Sequence, residues 1–524
     1  MVEANKAPYI VTLPPPTPNG GLHVGHMAGP FLAADVFAKQ KQNEGHEVFV
    51  LSFSDTNQTY VKSTAERLKT DPHVLAHNCS IDIQETLAEY GSNLDYYFEP
   101  NAQSNSFVRT FFLDLYAKGA LIKKPMPFFF SLTRNCFLGE ADVGGFCPNC
   151  FDDCKCGICE ACGQLTDANT LLSARDVNNP EHELEVREVP VLALEMERCR
   201  GQLEEFHANN PTIRPKYRWL VEDCLATKLV DFPVSTPGTW GISLDHPDFP
   251  EQVINAWPEI MANFYFGYEK ACSELSAPPH IVNFFGYDNS IFYALTHVAL
   301  LYAGDLERYL PTSTMINEFF NLEDAKFSTS RGHLIWARDI CDDVPADLVR
   351  LYCCLVNPGF EESNFRASAM EKALDEKLFR PWSAFANSIN QQSKTARGGQ
   401  ISRIAVDEAT KAQCGAIITR ITAGYSLERF NLRQSATDAL RCLEYLCSCA
   451  EDPSGEHDPS RHIRHCLELL MAWTRAISPM APVLAKGLED HVARYLSNEG
   501  AQLQLPADLM DFFVDFETKG TAVA

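Results

Sequence analysis

The stretch Pro14-Pro15-Pro16-Thr17-Pro18-Asn19-Gly20-Gly21-Leu22-His23-Val24-Gly25-His26 constrains this chain more than any other. It follows a short apolar run, Tyr9 to Leu13, that reads as a β-strand, and the Pro/Asn/Gly cluster stops that strand and turns the chain. Beyond the turn, residues 27–42 predict a helix, apolar at Phe31, Leu32, Val36 and Phe37. A strand-to-helix turn leaves backbone N–H groups free beside the positive end of a helix dipole, which favours phosphate. Gly21 and Gly25 permit close backbone approach, and His23 and His26, three apart, can project together toward an anion. Taken alone, the pattern is equally a glycine-rich turn with two surface histidines.

A second motif lies far downstream, in Lys326-Phe327-Ser328-Thr329-Ser330-Arg331-Gly332. Leu22 to His26 resembles the HIGH signature of class I aminoacyl-tRNA synthetases, and Lys326 to Gly332 resembles the KMSKS loop that closes over ATP triphosphate in that class. Their order, spacing and contexts agree. The resemblance is closest to the methionyl-tRNA synthetases and covers most of the chain. It implies an α/β fold: a Rossmann-type doubly wound parallel sheet with a zinc-bearing insertion and a C-terminal all-α helical bundle.

The length, 524 residues, suggests two to four domains. No run of about 18 apolar residues exists to span a bilayer, and Met1 to Lys6 lacks the layout of a signal peptide. Of 19 cysteines, six crowd into 147–162, which points to a reducing cytoplasm with a metal site and not to a disulfide scaffold. A net charge of −25 argues against a general nucleic-acid binder yet leaves room for a locally basic tRNA groove.

Residues 1–115 and 226–345 are expected to form the catalytic domain, 116–225 the connective insertion, and 346–524 a stem-contact region and an anticodon-binding-like bundle. A second strand, Glu47 to Ser52, ends at Ser54-Asp55-Thr56-Asn57, and a third apolar run from His280 ends in Gly286-Tyr287-Asp288. Ligands of doubly wound sheets bind at such carboxyl ends. An Asp after a strand is commonly a helix N-cap; by resemblance Asp55 matches the family's acidic residue that holds the amino acid's ammonium group. The resemblance likewise makes Gly286 and Asp288 contacts of the ATP ribose and substrate, and Trp257, in Asn255-Ala256-Trp257-Pro258, a wall of the amino-acid pocket. The aromatic stripe Phe264 to Tyr268 reads as core.

Cys147-Pro148-Asn149-Cys150 and Cys159-Glu160-Ala161-Cys162 are two CxxC knuckles able to close on one Zn²⁺ as four thiolates, which leaves no open position and makes the site structural. Cys154 and Cys156 stand between them as alternative ligands or contributors to a second ion. In the bundle, Leu374, Leu378, Trp382, Phe385 and Ile389 define one amphipathic face, with further helices near 408–427, 431–450, 461–478 and 481–496.

Adenylate formation asks a protein mainly for positioning and charge stabilisation. His23 and His26 can donate to phosphate oxygens as neutral imidazoles. Lys326 brings an ammonium to the leaving pyrophosphate, while Gly25, Ser328 and Ser330 offer close approach and further donors. Mg²⁺ is expected to accompany ATP and not to fill a protein cage.

Several positions depart from the family's pattern. Thr329 replaces the second lysine of the signature loop, as in the similar KFSTS loops of archaeal-type methionyl enzymes. Tyr287 stands where lysine is usual and Tyr293 where a pocket histidine is expected, and Pro15 and Thr17 occupy pocket positions that are usually Leu and Tyr in bacterial methionyl enzymes. In the bundle, the family reads the anticodon with an Asn, an Arg four residues later and a Trp; this chain has Asn387 but Gln391, and of its bundle tryptophans Trp473 reads as core. The leading expectation is ATP-dependent activation of methionine or a similar amino acid and its transfer to tRNA. A paralogue that activates another amino acid for a non-tRNA acceptor, and a non-catalytic descendant that binds tRNA or a partner, stay open beside it, as does the oligomeric state.

Overall fold

The computed structural model describes residues 6–327, 333–395, 398–451, 458–497 and 503–513. It divides into two compact units, one of residues 1–22, 44–88 and 93–318, the other of residues 23–43, 89–92 and 319–524.

The first unit is built on five strands: β1 (Tyr9–Thr12), β2 (Val48–Phe53), β3 (Tyr96–Phe98), β4 (His280–Gly286) and β5 (Ser313–Asn317). All neighbours pair in parallel, in the order β5-β4-β1-β2-β3. Nearly continuous apolar runs such as Val48-Phe49-Val50-Leu51 suit strands covered on both faces. The chain reverses its order of strand addition at β1, so that β2 and β4 leave on opposite sides. Such a switch point opens a crevice at the carboxyl ends. The segments that follow β1 and β2 carry Pro15 with Thr17 and Asp55, and β4 ends at Gly286, with Asp288 two residues on.

The insertion belongs to the same unit. Its long strand Ile122–Ser131 pairs antiparallel with Leu184–Leu194 from Ile122↔Ala193 to Ser131↔Leu184. A small three-stranded sheet of Val143–Phe146, Asp153–Lys155 and Leu172–Asp176 carries the cysteine-rich turns. The aromatic stripe Phe264 to Tyr268 lies within one helix, Ala256–Glu274, that packs against β2.

The second unit begins with the signature helix. It starts at Val24, three residues earlier than the sequence suggests, and it is not continuous. Gly29 has φ/ψ of −85°/−126°, outside the helical region, immediately before Pro30. Proline lacks an N–H and clashes with the preceding turn, so the helix breaks there and resumes as Leu32–Asn43. That helix is anchored through Asp35. The fully buried Arg350 guanidinium donates to Asp35 Oδ2 (2.6 Å) and to the carbonyls of Tyr90 (2.9 Å), Pro479 (2.9 Å) and Met480 (3.0 Å). A buried ion pair holds a fold together when its remaining donors are satisfied in this way.

The remainder is helical: Arg380–Gln392, Glu408–Thr422, Leu432–Glu451, Pro459–Ile477 and Pro482–Ser497 form the bundle. Leu374, Leu378, Trp382, Phe385 and Ile389 are all buried, as their spacing requires. Among the described residues, no helix is long and apolar enough to cross a membrane.

Candidate active site

The two signature motifs meet inside the second unit. Val24 N–H donates to the Ile335 carbonyl (3.0 Å), and His23 bridges Trp336, so the chain that returns from the signature loop runs beside the histidine turn. Phe327 stacks on the His23 ring at 4.5 Å and 9°. Gly25 makes this possible: a Cβ there would stand 2.9 Å from His23 Nδ1 and 3.0 Å from Phe327 Cδ2. Lys326 ends the short strand Ala325–Lys326, exposed, with its ammonium 4.9 Å from the Phe319 ring centre. Ser328 and Ser330, with Thr329 and Arg331, lie outside the described residues.

The histidines cap the helix for each other. His26 N–H donates to His23 Nδ1 (3.3 Å) and His23 N–H to His26 Nδ1 (3.2 Å), with the rings stacked at 3.7 Å. Each Nδ1 is therefore an acceptor, which places the proton of each neutral ring on Nε2. Burial, reinforced by His26, holds His23 down to about 2, and burial holds His26 down to about 4. Both rings are neutral Nε2–H donors at physiological pH.

The first unit carries a second constellation. Asp55 N–H donates to the Pro16 carbonyl (3.0 Å), which fixes the loop of Pro15 and Thr17, both half-buried, against the turn after β2. Asp55 itself is buried, and burial together with Glu259 pushes its carboxyl well above the usual range. Glu259 accepts from Asn57 Nδ2 (2.8 Å) and is raised by burial to about 7. Its Oε2, Asn263 Oδ1 and Tyr293 Oη are buried without a protein partner among the described residues. Trp257 stacks face to face on Phe292 at 3.6 Å and donates Nε1–H to Glu140 Oε2 (2.9 Å), a carboxyl that burial also raises to about 7. Tyr293 stacks on Phe285 (4.1 Å) with His297 beside it (4.7 Å).

Two hollows flank this wall. One of about 20 Å³ is lined by Met261, Phe264, Tyr293 and His297. The other, about 270 Å³, lies between the insertion and the turn at Asn57–Thr59, and counts Phe129, Glu140, Trp240, Trp257 and Phe292 among its walls. Gly286 ends β4 and Asp288 follows it, close enough that a Cβ on Gly286 would meet Asp288 Oδ1 at 2.5 Å.

These carboxyls contribute to a pH response. Because burial raises Glu140 and Glu259 from 4.5 to about 7, these two groups hold more protons in the folded chain than in the unfolded chain across that window. Their contribution to stability therefore falls as pH rises from about 4.5 to about 7, while His23 and His26, held below their ordinary value, act in the opposite sense below about 6.5. Chemical denaturation of the wild type and Glu259→Gln at pH 5 and pH 8 isolates the carboxyl part: relative to the wild type, the variant should lose stability at pH 5 more than at pH 8.

Cys147, Cys150, Cys159 and Cys162 offer sulfurs that all lie within 4.8 Å of one another. Cys147 and Cys162 Sγ are 3.6 Å apart, and Cys150 and Cys159 Sγ 3.5 Å. Four thiolates at about 2.3 Å from one ion have edges of about 3.8 Å, so the set fits a single tetrahedral metal. Burial raises the Cys147 thiol, but N–H donors from Cys150 and Asn149 outweigh it and bring it below the ordinary value. Cys154 and Cys156 are not members of this set of four, and burial pushes both up to about 12.

In the bundle, Trp382 and Trp473 are fully buried and donate to the carbonyls of Pro506 and Ala439. Asn387 and Gln391 are exposed. Neither tryptophan presents a face on which a base could stack. Glu259, Glu140, His297 and Phe327 were not singled out by the sequence. Only Phe327 carries a signal there, as an aromatic within the signature loop.

A five-stranded parallel sheet, an insertion with four clustered cysteines, and a histidine turn beside the downstream signature loop agree with a class I tRNA synthetase. A family model described as tRNA synthetases class I (M) matches residues 9–390, and the chain belongs to that family of ligases. It is similar to the methionine–tRNA ligase of Roseiflexus sp. (strain RS-1), at 28% identity over 397 residues, 71% of this chain and 67% of that one. It is also similar to that of Pyrobaculum aerophilum, at 26% over 410 residues, 75% and 70% of the two chains. Among solved structures it resembles Mycobacterium tuberculosis methionyl-tRNA synthetase bound by methionyl-adenylate, with a TM-score of 0.72 and 18% identity over 96% of this chain and all of that one.

Proposed function

We propose that the protein activates methionine with ATP and transfers it to the 3′ end of tRNA in the cytoplasm. The observation that carries this reading is the pairing of two neutral Nε2–H donors with an aromatic of the signature loop, which supports the reception of a polyphosphate there. In the first step a carboxylate oxygen of the amino acid attacks the α-phosphorus, a P–O bond forms, and the bond to the bridging oxygen breaks as pyrophosphate leaves. His23 and His26 donate to phosphate oxygens as charge spreads over them, and Lys326, with Ser328 and Ser330, receives the pyrophosphate. Gly286 and Asp288 take the ribose, and Mg²⁺ travels with ATP. Asp55 holds the ammonium group; Pro15, Thr17, Trp257 and Tyr293 bound the side chain. In the second step the tRNA 3′-terminal hydroxyl attacks the carbonyl and AMP departs.

Cys147, Cys150, Cys159 and Cys162 hold a structural Zn²⁺ that fastens the connective insertion. The division into a catalytic domain (1–115 and 226–345), this insertion (116–225) and a stem-contact and bundle region (346–524) follows from the same reading. Charging tests it: with labelled methionine, ATP and total tRNA, the wild type should form alkali-labile methionyl-tRNA. Absence of any charged tRNA would remove the transfer step.

One observation favours a second reading, in which another amino acid is activated for a different acceptor. The Tyr293 hydroxyl is buried without a protein partner among the described residues, and a thioether offers it little to bond. Apolar pockets discriminate weakly between similar side chains, whereas a hydrogen-bonding wall discriminates strongly.

A further inference from the structure

The carboxyl edge of β4 and β5 needs positive charge if it is to hold a nucleotide, because its own turn carries only the acidic Asp288. The insertion supplies that charge. Its helix Pro215–Ala226 opens on Arg214-Pro215-Lys216, and the Lys216 ammonium lies 3.9 Å from the centre of the Tyr287 ring, in the middle of the Gly286–Asp288 turn. A cation at that distance over an aromatic face is attracted by the ring. Lys216 is also 2.8 Å from Glu318 Oε2, immediately after β5. Tyr287 is in turn fixed from the other side, its hydroxyl donating to the Cys162 carbonyl (3.1 Å). Arg214, buried beside Glu318, adds a second cation.

The edge also bears buried polar groups that lack a protein partner among the described residues. Asn317, the last residue of β5, lies in register with Gly286. It is 3% exposed, and its Nδ2 has no protein partner among the described residues. The Ser290 hydroxyl, four residues beyond Gly286, is fully buried and likewise unpartnered. A buried donor and a buried hydroxyl left unpaired are costly unless something binds them.

We infer that Lys216, reaching over Tyr287 from the insertion, is a nucleotide-binding residue that supplies the positive charge this turn lacks in its own sequence. The inference rests on the reading of Gly286 and Asp288 as nucleotide contacts. It accounts for Tyr287 at a position where the family resemblance implies lysine: the ammonium arrives from another element.

ATP binding by calorimetry without amino acid, together with ATP–pyrophosphate exchange, tests this. Lys216→Ala should weaken ATP binding and raise its KM about tenfold, the loss expected for a charged contact. The KM for the amino acid should stay as in the wild type, and Lys216→Arg should retain most of the affinity. The decisive variant adds Tyr287→Lys to Lys216→Ala, which should restore ATP binding. Wild-type ATP affinity in Lys216→Ala, or no recovery in the double variant, overturns the inference while the nucleotide site stands. A wild type that binds no ATP overturns the site and the inference with it.

Discussion

His26→Ala should abolish adenylate formation, lowering the rate of amino-acid-dependent ATP–pyrophosphate exchange by a factor of about a hundred to a thousand. The side chain has two tasks. Its Nδ1 accepts from His23 N–H and so completes the reciprocal cap that opens the helix, and its Nε2 carries the proton that the proposed function gives to phosphate. Removal takes away a donor aimed at developing charge, and the fold should survive because the residue stands in a turn at the end of a helix otherwise anchored through Asp35 and Arg350. Far-ultraviolet dichroism should be unchanged. His26→Gln, which keeps a donor, should lose less. Because burial holds both histidines at about 4 or below, the exchange rate of the wild type should also show no histidine titration near 6.5. Wild-type exchange in His26→Ala would remove its assigned role.

Cys147→Ser or Cys162→Ser should release the metal and unfold the insertion locally. A structural four-thiolate zinc site contributes about 10 kcal/mol or more of folding free energy in small metal-dependent domains. The cysteine-rich part of the insertion depends on it most: Phe129, Leu138, Val143, Ala168 and Leu171 pack there around Cys147, Cys154 and Cys159 themselves. Metal analysis of purified protein should find one zinc per chain in the wild type and none in either variant. Limited proteolysis should then cut within the cysteine-rich turns first. Cys154→Ser and Cys156→Ser should keep their zinc, since these sulfurs lie outside the set of four. Full zinc content in Cys147→Ser and Cys162→Ser together would refute the ligand assignment.

Local motifs were legible in the sequence because their chemistry is local. The histidine turn, the two CxxC knuckles and the Gly-x-Asp strand end each announce themselves within a few residues, and the apolar runs of β2 and β4 read directly as buried parallel strands. The signature helix was legible except at Gly29, where Pro30 breaks it; the sequence carried that signal, and the apolar periodicity on either side masked it. What the sequence did not show are contacts between distant positions. Glu140 meets Trp257 across 117 residues, and Lys216 meets Glu318 across 102. No spacing rule links them. Glu259 is similar: an acidic residue in the first turn of a helix reads as a favourable dipole partner, and only its burial beside Asp55 gives it another meaning. The bundle tryptophans were legible in one respect, since Trp473 sits on an apolar helix face. Their complete burial shows why the family's stacking residue has no counterpart in either.

The first experiment is ATP–pyrophosphate exchange without tRNA across a panel of amino acids that includes methionine and its analogues. The account predicts methionine-dependent exchange in the wild type that disappears in His26→Ala. Exchange with no member of the panel, from folded and zinc-replete protein, would contradict it.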